Sequence, residues 1–311
     1  MNNTVDVTVR LHWNIIYILK RCCIIIAVLA IVYLLLGYVA YRWFKKNFDC
    51  YSHLTELLQS VSGKGNSFMN YGYWDEEGIS LSEANRKLCD FMYKTGELEK
   101  AKKILDVGCG YADQDIHWAK STSASIQGID IDNLMVIEAT KKIEEQNLSD
   151  RVKVTVGDAC KLLYEDNSFD TVISLESAFH YKQRRSFFEE SYRVLEKSGT
   201  FVIADILFNN KPIDISNKVN RELFATAFHI PEANRIGKKE YIHQLEDIGF
   251  TCEMYDITAN TFKPYYDYYF RNFKHPNYFY KLMALIGNIM INHLCGGTIG
   301  FEYVVLVCKK K

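Results

Sequence analysis

Proline is scarce in this chain, 4 in 311 residues, and there is no low-complexity stretch or internal repeat. Together with a charged fraction of 24% of nearly balanced sign, that excludes a disordered tail and a Pro-rich linker protein. No long basic run is present and the formal net charge is −1. A protein held to nucleic acid by phosphate contacts needs the opposite, so nucleic acid is not an expected partner. No two of the nine cysteines form a C-x-x-C pair, and their number is odd. The pattern suits neither a zinc site nor a disulfide framework, and it reads as reduced thiols in a cytosolic setting, with no metal site.

What is present begins with one uncharged run. The 19 residues from Cys22 to Ala40 carry no charge. As a helix they would span roughly 28 Å, close to the thickness of a hydrocarbon core. Trp13, Tyr17, Tyr41 and Trp43 lie near the ends, where rings favour the membrane interface, with Lys20 and Arg21 on one flank and Arg42, Lys45 and Lys46 on the other. A cleaved signal peptide is excluded by the long charged lead and by the exit Tyr41-Arg42-Trp43-Phe44, which offers no small-residue cleavage site. The reading is an uncleaved single-pass anchor in residues 1–46, with its helix at about 22–44. The flanking cations are nearly balanced, so they do not set its orientation.

Residues 47–100 read as a polar, mostly helical lead-in. From residue 101 strands and helices alternate: strands at Lys103–Val107, Ser125–Asp130, Val152–Val156, Thr171–Leu175 and Thr200–Ile206, and helices at Ala112–Lys120, Asn133–Gln146 and Arg184–Leu195. Leu134, Ile137, Ala139 and Ile143 mark the expected apolar face of the second helix. Such alternation predicts an α/β fold, a doubly wound and mostly parallel sheet with helices on both faces and ligands at the carboxyl ends of its strands. Two further strands, Thr251–Ile257 and Phe301–Cys308, would close it as an antiparallel pair. Between them lies an insertion, residues 259–298, with ten aromatics from Phe262 to Tyr280 and an apolar continuation at Lys281–Leu294. It could line a lipophilic pocket or lie on a bilayer. Residues 208–237 read as a cap over the substrate side.

The chemistry sits at the strand ends. Gly108-Cys109-Gly110 follows the first strand, where glycines permit a tight turn and close approach to a ligand. A dinucleotide loop wants a further glycine where this chain has Asp113. Asp106, two residues before the first glycine, would repel a pyrophosphate and suits a cationic ligand. S-adenosylmethionine carries a sulfonium and an ammonium, so the loop favours it over a nicotinamide dinucleotide. Asp130, closing the second strand, can accept both ribose hydroxyls, and Asp158, after the third, can accept from the adenine amino group. Each of these acids could instead merely cap the helix that follows. Three acids at successive strand ends argue against that for the set.

These residues resemble a family. Asp106–Gly110, Asp130, Gly157-Asp158 and Ser168-Phe169-Asp170 look like the ordered motifs of class I S-adenosylmethionine-dependent methyltransferases. Glu176–Tyr181 and Tyr192-Arg193-Val194-Leu195 are similar to those acting on macrolide sugars, tocopherols and sterols. The resemblance covers about Asn70 to Cys308 and implies a seven-stranded Rossmann-like sheet. One departure is Ala112, where the family commonly has a third loop glycine. In relatives an aromatic segment like Met69–Trp74 covers the cofactor, which points to Tyr73 as a cofactor contact through cation–π attraction. His180 just past the fourth strand is the candidate base for a hydroxyl acceptor, and Glu176 a second candidate, for the cofactor ammonium or an acceptor amine. The expected activity is methylation of a lipophilic small molecule by a membrane-anchored enzyme, at oxygen ahead of nitrogen or carbon, with the catalytic domain cytosolic. The alternatives are an N-methyltransferase of a lipid amine, a non-catalytic cofactor-binding scaffold and an NAD-dependent oxidoreductase of the same alternating fold.

Overall fold

In the computed structural model the chain divides into two units, Met1–His53 and Leu54–Lys311. The described residues are 68–209, 228–272 and 300–311, with Arg21, Lys218, Arg221, Glu222, Ala225 and Thr226. The expected anchor therefore lies outside them, as do 13 of the 30 residues of the 208–237 cap and the insertion beyond residue 272. Among the described residues no helix is long and apolar enough to cross a membrane.

One sheet of seven strands organises the second unit, in the order β3-β2-β1-β4-β5-β7-β6. The strands are β1 Lys103–Val107, β2 Ser125–Asp130, β3 Val152–Val156, β4 Phe169–Leu175, β5 Leu195–Phe208, β6 Phe250–Asp256 and β7 Phe301–Lys310. Six run in one direction; β7 alone is reversed, antiparallel to both β5 and β6 between which it lies. β5 begins five residues earlier than its apolar run suggests, because Leu195 pairs with Phe169 across a register shift.

Alternation along the strands divides the core into two layers. Ile104, Ile126, Ile173, Val202 and Ala204 face one side. There they meet α1 (Leu81–Thr95), α2 (Asp113–Ala119), α3 (Asn133–Glu145) and α6 (Phe262–Asn272). Leu105, Val172, Phe201 and Ile203 face the other side, against α4 (Arg184–Val194) and α5 (Lys238–Ile248). Both faces are thus covered, as a parallel sheet requires. The helices start on local signals: Ser80 caps α1, accepting from Glu83 N, and Asp132 caps α3, accepting from Leu134 N at 2.7 Å.

Two expectations are corrected. The apolar face of α3 is Met135, Val136, Ala139 and Ile143; Leu134 and Ile137 are exposed, at 71% and 43%. The helix is rotated so that Leu134 flanks the strand ends instead of the core. Nor are all the cysteines thiols. Cys252 and Cys308 face each other across β6 and β7 with Cα atoms 4.0 Å apart and are joined as a disulfide. Cys89, Cys109 and Cys160 are free. A pairing across 56 residues, with an insertion between, leaves no mark in cysteine spacing. The outermost strands are short and polar outward: β3 exposes Lys153 and Thr155, and β6 exposes Thr251 and Glu253.

Because Cys252 and Cys308 are joined, Cys252→Ser should lower unfolding stability by about 2–4 kcal/mol without reductant. With reductant, wild type and variant should coincide in a denaturant titration. Equal stability under both conditions would show that the bond is not made.

Candidate active site

β1 delivers Asp106 to the side of the sheet under α2, and the chain then turns through Gly108 and Gly110, both at positive φ (80° and 55°). The two glycines serve different ends. A Cβ on Gly108 would come within 2.4 Å of Ser177 Oγ and 2.6 Å of Tyr181 Oη. These hydroxyls lie 2.8 Å apart and both donate to Val107 O at 2.9 Å, fastening the loop to the segment after β4. A Cβ on Gly110 would meet nothing within 4 Å, so here the absent side chain leaves open space above the backbone. Ala112, where the resemblance led us to expect glycine, sits at φ 56°. Such a conformation costs an alanine about 1–2 kcal/mol.

Asp130 ends β2 beside this loop. Its Oδ2 accepts from Gly110 N and its Oδ1 from Asp132 N, both at 2.9 Å, with lone pairs left over for a ligand. Partial burial raises its pKa, against the pull of those amides. Next to it Ile131 is 75% exposed, and Val156 at the end of β3 is 51% exposed. Apolar side chains left bare at strand ends are a signal that the sequence reading did not use. Asp158 is exposed and shapes its own turn, accepting from Cys160 N at 2.8 Å.

Asp106 is fully buried and does not open to solvent. Its Oδ2 accepts from Gln114 Nε2 at 3.0 Å, and its partner across the interior is a second buried acid, Asp115 of α2. Burial pushes the Asp106 pKa up to about 7. Gln114 and Asp115 were both missed, because nothing in a helix sequence tells which polar residue turns inward.

Glu176 follows β4 at φ 51°, a strained conformation for a side-chain-bearing residue and the kind that clusters at functional sites. Its Oε1 accepts from Tyr71 N at 2.7 Å and from Tyr303 Oη at 2.6 Å. The Tyr71 ring lies 5.2 Å from Phe262, 4.6 Å from Tyr265 and 6.5 Å from Tyr303, all edge-on. Desolvation among these rings pushes the Glu176 pKa up to about 8 despite both hydrogen bonds. The aromatic segment thus reaches the site through Tyr71. Tyr73, singled out from the sequence, instead stacks on Phe91 of α1 at 5.0 Å. Extended backbone would put both rings on one side; the turn at Gly72, at φ 75° and packed on Ala84, breaks that alternation and parts them.

His180 lies in the single turn Ala178–His180, its ring centroid 4.1 Å from that of Phe179. Burial lowers its pKa to about 4. The turn is clamped by Asn234 Nδ2, which donates to Phe179 O at 3.2 Å and Tyr181 O at 2.6 Å. Asn234 O in turn accepts from Arg184 Nη2 at 3.1 Å, and Arg184, itself buried, pairs with Asp205 at 3.4 Å. Asp106, Gly108, Gly110, Asp130 and Glu176 therefore gather at one rim, with Asp158 at its outer end. An open dent of about 280 Å³ at the opposite end of the strands, lined in part by Lys100, Asp170, Gly199 and Lys309, contains none of these groups.

A glycine loop, an acid closing the second strand and a carboxyl past the fourth, at the carboxyl rim of a 3-2-1-4-5-7-6 sheet, define a class of nucleoside-cofactor enzyme. Residues 105–203 match the family model described as a methyltransferase domain. The erythromycin 3''-O-methyltransferase of Saccharopolyspora erythraea is 30% identical over 215 residues, 66% of this chain and 69% of that one. A sterol 24-C-methyltransferase of Yarrowia lipolytica is 29% identical over 201 residues, 63% of this chain and 51% of that one. Among solved structures, the geranyl diphosphate C-methyltransferase of Streptomyces coelicolor, in complex with Mg2+, geranyl diphosphate and S-adenosyl-L-homocysteine, superposes with a TM-score of 0.61 at 15% identity. That match covers 85% of this chain and 99% of the other. The chain belongs to the class I S-adenosylmethionine-dependent methyltransferases, and its cofactor is S-adenosylmethionine.

The loop glycines make opposite predictions. Gly108→Ala should cost at least about 3 kcal/mol of stability, from backbone strain plus the clash with Ser177 and Tyr181. Gly110→Ala should cost about 1–2 kcal/mol, yet weaken S-adenosylhomocysteine binding more than tenfold by filling the space over the loop. Thermal unfolding and titration calorimetry read the two effects separately.

Proposed function

We propose that this methyltransferase is anchored in a membrane by residues 1–46, with its catalytic domain in the cytosol where the cofactor is made, and methylates an oxygen of a lipophilic small molecule. The uncharged run Cys22–Ala40 supports the anchor. A lipophilic acceptor is supported by the aromatic surround of Glu176 and by relatives whose names specify macrolide and sterol methylation.

The fit of the rim to the cofactor rests on Gly110, whose open space a side chain would fill, and on the concentration of acids there. Gly108 and Gly110 would let the backbone approach the ligand, Asp130 would take the ribose hydroxyls, Asp158 the adenine amino group, and Asp106 would set negative charge beneath the loop. When bound, S-adenosylmethionine supplies the electrophilic methyl group. The chain's part is to hold the acceptor in line, exclude water and take its proton.

The observation that carries the reading is the Glu176 carboxyl, walled by Tyr71, Tyr303 and the rings of α6. Because Oε1 accepts both hydrogen bonds, Oε2 is left to take the acceptor's proton. A carboxyl raised to about 8 is a strong base once ionised, and a cation entering the site favours that form. His180, lowered to about 4 and packed on Phe179, is neutral at pH 7 but a much weaker base, better suited to shaping the acceptor's side. The same aromatic surround suits an ammonium through cation–π attraction, which makes a lipid amine the second reading.

Incubating the full chain with methyl-labelled cofactor and its own membrane lipid extract should give a labelled ether-linked product; a labelled amine would favour the second reading, and no labelled lipid would end both. At saturating cofactor, the log of kcat/KM for the acceptor should rise with pH up to about 8, since the base must be deprotonated. Glu176→Gln should lower kcat at least about a hundredfold and abolish that limb, whereas His180→Ala should keep it. Asp106→Ala and Asp130→Ala should each weaken cofactor binding by about 1–3 kcal/mol; unchanged affinity in both would remove the site assignment.

A further inference from the structure

Asp115 has no role in the mechanism above, yet its environment is the most unusual on this face of the sheet. It is fully buried, and so is Asp106, which faces it from β1. No N–H or O–H of any other described residue reaches either oxygen of Asp115, or Asp106 Oδ1. No lysine, arginine or histidine among the described residues lies within ion-pair distance of either carboxyl. Lys142 Nζ, the ammonium of the neighbouring α3, is 2.7 Å from Asp113 instead. The groups around the pair add no positive charge: Asp113 from α2, Asp130 from β2, and the neutral thiols Cys109 of the loop and Cys89 of α1. Tyr181, whose burial raises its pKa well above the usual value, is the neighbour from the segment after β4. Room for the second acid comes from Gly128 on β2, where a Cβ would lie 3.0 Å from Asp115 Oδ2.

Of the four oxygens of these two buried carboxyls only Asp106 Oδ2 has a donor, Gln114 Nε2, and with no cation in reach a proton shared between the acids is what satisfies the others. We propose that Asp115 is a positioning residue for the cofactor site, holding a proton against Asp106 so that this buried pair, and not Asp106 alone, sets the negative charge that receives the cationic cofactor. The inference rests on the reading of the loop as the cofactor site. Asp115, whose pKa burial and the neighbouring Asp106 raise far above the carboxylate range, keeps its proton and donates it to Asp106. The pair then carries one negative charge above about pH 7 and none once Asp106 is protonated as well. A cation gains from the charged form only, so affinity is present above that pH and is lost as the pH falls through it.

The test is calorimetric titration of the full chain, in detergent and without acceptor, with S-adenosylmethionine between pH 5.5 and 8.5, and with uncharged adenosine as the control. In the wild type S-adenosylmethionine affinity should fall by up to about tenfold per pH unit below 7, with a proton released on binding, while adenosine affinity stays level. In Asp115→Asn a weaker amide donor replaces the hydroxyl that stabilises ionised Asp106, so the fall should move about one unit higher, with affinity at pH 7 about fivefold below the wild type and affinity at pH 8.5 nearly kept. A merely structural role would weaken binding at every pH. Independently of folding in that variant, an infrared titration of cofactor-free Glu176→Gln, which removes the carboxyl that titrates near 8, should show a carboxylic acid band persisting above pH 7. Absence of that band overturns the proposal, as does a level S-adenosylmethionine profile or a fall shared equally by adenosine. No S-adenosylmethionine binding at pH 8 overturns the reading of the loop and this inference with it, whereas binding without the pH dependence overturns this inference alone.

Discussion

Acidic groups gathered without counter-cations at the carboxyl rim of a parallel sheet are the constraint on which the rest of this structure depends. Asp106, Asp115, Asp130 and Glu176 are each held by burial or by amide and hydroxyl donors, and none is paired with a lysine or arginine. Elsewhere the chain neutralises its buried charge: Asp205 faces Arg184 on the opposite side of the sheet, beneath Tyr241. Breaking a buried pair of that kind costs about 3–5 kcal/mol, so neutralisation was available where stability alone mattered. At the rim the acids are left for something positively charged to complete.

Much of this was legible in the chain. The short strands β1, β2 and β3 were placed to the residue, because brief apolar runs bordered by Gly and Asp have sharp ends. The order of acids at the strand ends was legible for the same reason: each sits where the run stops. The full length of β5 was not, since its first residues lie across a register shift that only the partner strand reveals.

Side-chain direction was what the sequence left open. Tyr73 and Tyr71 are chemically equivalent in the sequence, and only the turn at Gly72 decides which ring meets Glu176. Leu134 and Met135 are both apolar, and the face of α3 is settled by packing on β2 and β3. Asp115 and the Cys252–Cys308 pair depend on contacts between segments that spacing does not encode. The sequence therefore placed the strand ends and their acids, while the three-dimensional contacts show how each side chain is held.

The sheet's two open borders have a consequence of their own. β3 is five residues long and turns Lys153 outward, while β6 turns Glu253 outward. A bare strand is a template for the backbone of another molecule, and a charged side chain on it must be desolvated before a stranger can dock. With a cation on one border and an anion on the other, neither offers the flat, uncharged lip from which runaway stacking grows. Replacing either with valine would turn a guarded margin into an invitation to aggregate.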